Sequence, residues 1–95
     1  MTTEELLDAI VKVTTPLRMG DGIDAAALET LTATLDRLAG EWSGRAEVPK
    51  AAAAALAELY PAVTGASYAY PTDYGDQVRD LAETLFDLVS ACFGP

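Results

Sequence analysis

The chain is 95 residues long, 51 % hydrophobic and 22 % charged, with 15 acidic against 6 basic residues for a net charge of -9. These values fit one folded domain spanning residues 1–95 that buries about 60–65 % of its unfolded surface; they exclude a disordered chain. An exterior this acidic repels phosphate backbones and anionic lipid, so neither nucleic acid nor membrane is expected as a partner, while a basic protein surface is attracted.

The first predicted helix is "TTEELLDAIVKVTT". Thr2 or Thr3 serves as N-cap, with Glu5 three residues after Thr2 in capping-box position. Leu6, Leu7, Ile10, Val11 and Leu17 form its apolar face, and Pro16 is expected to end or kink it before "RMGDGID" breaks it. The second helix starts near Asp24 and carries Leu28, Leu31, Leu35, Leu38 and Trp42 at intervals of 3, 4, 3 and 4, the seam of helices packed side by side. Gly40 and Gly44 stand ready to cap its end.

The third helix is read from "EVPKAAAAALAELY". Pro49 suits its first turn, the alanines have the highest helix propensity, and Pro61 is expected to stop or bend it after Tyr60. The segment "TGASYAYPTDYGD" has no helical spacing and reads as a loop. The last helix runs from about Thr72 or Asp73 to Cys92. It has a broad stripe of Val78, Leu81, Ala82, Leu85, Phe86, Leu88, Val89, Cys92 and Phe93. Asp76, Arg79, Asp80, Glu83 and Asp87 lie opposite, with Arg79 and Glu83 at ion-pair spacing. Alternation of period two is missing, so no strand is expected. The expected fold is an all-α, compact four-helix bundle with short connections in up-down-up-down order; a three-helix bundle is the alternative.

The residue inventory narrows the chemistry. There is no histidine, which removes Ser–His and Cys–His pairs, histidine metal sites and the commonest general base. "MGDGID" lacks both the preceding strand and the GK[ST] of a phosphate loop, and Asp21, Asp24 and Glu29 do not keep the spacing of a calcium loop. Asp73 and Asp76 are the remaining carboxylate pair. A helix cap and a dipole partner explain them without a substrate. No catalysis, metal or cofactor is expected. The lone Cys92 cannot form an internal disulfide. The acidic "MTTEELLDA" differs from a basic signal peptide, and the longest purely apolar run, Ala51 to Ala57, is far short of a membrane span. The expected location is the cytoplasm.

Two short stretches resemble known families. "EWSG", Glu41 to Gly44, resembles the signature of the WxG family of small secreted helical hairpins, whose Trp and Gly sit in the turn between two long helices. That resemblance implies a self-assembling or secreted helical protein. "SYAYP", Ser67 to Pro71, resembles the tyrosine pair before proline in colicin-type nuclease immunity proteins, short acidic four-helix inhibitors of basic nucleases. In that family the tyrosines are adjacent, whereas Ala69 separates Tyr68 from Tyr70 here.

Tyrosine combines a large rigid surface with a polar tip and is enriched at binding hot spots. Tyr68, Tyr70 and Tyr74, with Asp73 and Asp76 beside them, therefore form the candidate contact site for a basic protein partner. A lid over the bundle end is the competing role, and Tyr74 fits it as an extension of the last helix's apolar stripe. The expected function is that of a non-catalytic binding protein of inhibitor, immunity or adaptor type. Self-assembly, including a homodimer, predicts instead an uncovered apolar surface on the Leu28–Leu38 helix or near Phe93. A ligand carrier or an accessory subunit of an enzyme predicts a closed apolar pocket.

Overall fold

The computed structural model describes residues 2–94, among which four α-helices form: α1 (Thr3–Arg18), α2 (Ala25–Trp42), α3 (Lys50–Ala66) and α4 (Thr72–Cys92). A 3-10 turn, Ser67–Ala69, links α3 to α4. The Thr2 hydroxyl accepts from the Glu5 N–H at 3.2 Å, and Asp24 accepts from the Ala27 N–H at 3.1 Å, so α1 and α2 start on the caps their sequences predict. Past α2, Gly44 takes a left-handed φ of 77° that closes the helix end, while Gly40 stays inside α2.

The prolines interrupt less than expected. Pro16 lies in the last turn of α1, which continues to Arg18, and Pro61 lies inside α3, which continues to Ala66. Each removes one backbone donor. At Pro61 the carbonyl left over belongs to Ala57, and both residues are exposed, so water can satisfy it. The stretch read as a loop is correspondingly short. Thr64 to Ala66 complete α3, Ser67–Ala69 is helical, and only Tyr70 and Pro71 are extended or turn-like before α4.

The molecule is an all-α four-helix bundle measuring 42 × 24 × 20 Å. Its core is built from Leu6, Val13 and Leu17 of α1, Leu31 and Leu35 of α2, Leu56, Leu59 and Val63 of α3, and Val78 and Leu85 of α4. Helix directions alternate, but sequence neighbours are not always spatial neighbours. α1 packs on α2 and α3, α4 packs on α2 and α3, and α2 faces α3 across a diagonal. Thr2 and Leu6 meet Trp42, Pro49 and Ala52 at one end, so α1 and α3 start together. The Cys92 thiol reaches the Leu35 carbonyl at 3.5 Å and the Phe93 ring lies 5.7 Å from Trp42, so α2 and α4 finish together. The Ser43–Pro49 connection thus crosses the bundle end. Its seven residues reach well beyond the roughly 14 Å diagonal of a square of helices about 10 Å apart. Trp42 and Gly44 do stand at a turn, as the "EWSG" resemblance implies, but within four helices and not a two-helix hairpin.

Candidate functional site

The α3–α4 junction is a corner held by side chains from three parts of the chain. Tyr70 reaches across to the α1–α2 connection. Its hydroxyl donates to the Leu17 carbonyl at 2.7 Å and accepts from the Gly22 N–H at 2.9 Å. Tyr74, in the first turn of α4, accepts from the Ile23 N–H at 2.7 Å. The two rings lie 5.0 Å apart between centroids and pack on the edge of the core. Gly22 is needed here twice over. Its φ is 86°, and a Cβ would stand 2.8 Å from the Tyr74 hydroxyl.

On the other side of the corner, Ser67 is buried. Its hydroxyl donates to the Thr64 carbonyl at 2.6 Å and accepts from Arg79 at 3.1 Å. Arg79 also pairs with Asp76 and not with Glu83, the partner its spacing suggests. Glu83 accepts instead from the Tyr60 hydroxyl at 3.1 Å. Gly75, inside α4, lets the 3-10 turn sit against the helix, since a Cβ there would come within 2.9 Å of the Ser67 carbonyl. No sequence pattern marks Ser67, Gly22 or Gly75; their importance comes from what is folded against them.

This scaffold sorts the five candidate residues. Tyr70 and Tyr74 have their hydroxyls engaged on the α1–α2 connection and serve as the lid. Tyr68 projects outward, 78 % exposed, with the Arg79 guanidinium 5.8 Å from its ring centroid. Asp73 and Asp76 are both exposed on α4, three residues apart, and Asp76 reaches the Tyr68 side through its pair with Arg79. Asp73 falls in the first turn, where it complements the helix dipole. The cap position is held by Pro71, which makes no side-chain capping bond. The outer part of the corner is therefore an exposed phenol ring beside the Arg79–Asp76 pair, on a backbone that its neighbours hold in place.

The surfaces tied to the other function classes look different. Leu31, Leu35 and Leu38 are buried, Leu28 is half-buried, and the half-exposed Phe93 leans on Trp42. A groove between α1 and α2 is lined by Lys12, Asp8, Asp24, Arg37, Thr15 and Thr30 among others, and is open and mixed in polarity. Burial raises the Cys92 thiol pKa above its ordinary value, and Asp36 adds to the shift, so this sulfur stays protonated near neutrality. Among the described residues no group of three or more His, Cys, Asp or Glu side chains is placed to hold a metal ion, and no helix is long and apolar enough to cross a membrane.

No protein-family model matches the chain. No curated protein matches it either, and neither does any solved structure.

Proposed function

We propose that this protein is a non-catalytic binding module that recognises the basic surface of another protein, in the manner of an inhibitor, immunity protein or adaptor acting in the cytoplasm. The observation that carries this reading is Tyr68. A tyrosine this exposed normally costs solubility. Here it is mounted on a corner fixed by the hydroxyls of Tyr70 and Tyr74, by Ser67 and by Arg79. Tyrosine has only two side-chain torsions to fix on binding, and that low entropy loss is what makes such residues anchors. Asp73 and Asp76, backed by a net charge of -9, supply attraction for a partner rich in Lys and Arg. Of the two tyrosines in "SYAYP", Tyr68 alone is presented to a partner, since the Tyr70 hydroxyl is engaged inside.

The test is affinity capture on the purified protein at low salt and at about 0.5 M salt, alongside a Tyr68→Ala variant. Long-range charge attraction is screened within a few ångströms at the higher concentration. The reading expects a basic protein retained by the wild type at low salt, released at high salt, and retained poorly by Tyr68→Ala. Capture indifferent to both salt and Tyr68 would refute it. Tyr68 lies outside the core, so the variant should keep the native helical spectrum.

A further inference from the structure

The open groove between α1 and α2 shares no residue with the Tyr68 corner. It offers about 770 Å³, within the size range of small-molecule sites. Thr34 stands in its wall. The residue is 6 % exposed, yet its hydroxyl forms no hydrogen bond among the described residues. Thr14 and Thr84, on other helices, donate to the carbonyls four residues back at 3.1 and 3.2 Å; Thr34 does not. Among the described residues, the buried side-chain oxygen with neither a partner nor solvent contact is that of Thr64. The Thr34 hydroxyl therefore keeps an opening, and the groove is where it opens.

The charged side chains of the groove divide into two groups. Glu5 accepts from the Thr2 hydroxyl at 3.4 Å, Asp8 pairs with Lys12 at 2.9 Å, and Asp24 accepts from the Ala27 N–H at 3.1 Å. Every carboxylate there has a partner, and so does Lys12. Arg37 has none among the described residues. It shares one face of α2 with Thr30 and Thr34, and all three line the groove. The groups left open are a guanidinium and threonine hydroxyls, all able to donate. Around them Ala9, Ala26, Ala27 and Pro16 present small aliphatic surface. The wall from Arg37 back to Ala27 is about 15 Å long.

We propose that this groove binds an aliphatic monocarboxylate, its head held by Arg37 and the Thr34 hydroxyl and its chain laid along the alanines toward Pro16. The inference is independent of the proposed function. The open donors select an acceptor-rich head, because a carboxylate accepts from a guanidinium and from a hydroxyl together. One unpaired base selects one negative charge; a phosphate dianion would stand near Glu5 and Asp8 with a single cation to offset it. The lining selects a slender chain, since no aromatic side chain is there for a ring to stack on. Repulsion from the net charge of -9 is screened beyond about 8 Å at physiological salt, whereas the Arg37 contact is direct.

The test titrates the whole protein with decanoate, kept below its micelle-forming concentration, by calorimetry and amide NMR. The proposal expects saturable binding with shifts centred on residues 9–16 and 26–37. Decanol, the same chain without the charge, should bind at least about tenfold more weakly, and Arg37→Gln should weaken decanoate by a similar factor. Thr34→Val should weaken decanoate several-fold while leaving the melting temperature unchanged or raised, because the hydroxyl it removes has no partner in the chain. A hydroxyl that mattered only to the fold would do the reverse. Arg37 is exposed, and circular dichroism checks that both variants fold. No saturable binding, shifts centred outside the groove, decanol binding as tightly as decanoate, or wild-type affinity in Arg37→Gln would each overturn the proposal.

Discussion

Tyr70 joins two connections that lie far apart in the chain, bonding to residues 53 and 48 positions away. Tyr70→Phe keeps the ring but leaves the Leu17 carbonyl and the Gly22 N–H without that partner in a half-buried site. We expect a loss of about 1–3 kcal/mol in urea unfolding. Gly75→Ala tests the other side of the corner. Alanine is the better helix former by about 1 kcal/mol, yet its Cβ would press on the Ser67 carbonyl at 2.9 Å. That carbonyl sits between a buried Ser67 side chain and the Tyr70 anchor and has little room to move. Net destabilisation of about 1–3 kcal/mol is expected in the same assay, and a stabilised variant would show that the turn yields. At this scale the sequence signalled the tyrosines as a group but not their division of labour. One exposed ring and two internally bonded ones have the same letters and nearly the same spacing.

Along α4 an exposed stripe of five carboxylates, Asp73, Asp76, Asp80, Glu83 and Asp87, places like charges at i, i+3 and i, i+4 at four successive steps. Each such pair costs a few tenths of a kcal/mol in an exposed helix. Asp80→Lys converts the central repulsions with Asp76 and Glu83 into attractions. It should raise stability by a few tenths to about 1 kcal/mol at low salt, with the gain shrinking as salt is added. The same substitution should weaken a basic partner. Stability gained together with binding lost, measured on one protein, would mark the stripe as kept for recognition; a stripe that serves only solubility would gain the stability and leave binding unchanged. The helices themselves were legible because apolar periodicity and caps are local. Thr2, Asp24 and the start of α4 at Thr72 stand where the letters place them. Pro61 was not legible. Whether a proline ends a helix depends on whether the freed carbonyl can reach water, and that depends on which face the bundle leaves open.

For the whole molecule, the arrangement links two antiparallel pairs, α1 with α2 and α3 with α4, through the parallel contacts of α1 with α3 and α2 with α4. Every helix shares the core with two others, so no pair should unfold alone. Urea transitions followed by Trp42 fluorescence, which reports the α2–α4 end, and by far-ultraviolet circular dichroism, which reports all helices, should coincide. Separate midpoints would mean that one helical pair outlasts the other. The diagonal placement of α2 and α3 was not foreseen from short loops. A connection of this length can reach either an adjacent or a diagonal helix, and loop length alone does not choose between them.

What the amino-acid order settled by itself was the all-α class, the number of helices, the caps of α1 and α2 and much of the core, though Leu7, Val11 and Phe86, expected on apolar faces, are exposed. Each settled feature follows from interactions within a turn or two of the chain or from the period of its apolar residues. Folding in three dimensions decided which helices touch, which tyrosine hydroxyls are engaged inside, and that Tyr68 and Phe86 are left in solvent. Those outcomes depend on partners dozens of residues away, and only close packing of the helices brings such residues together.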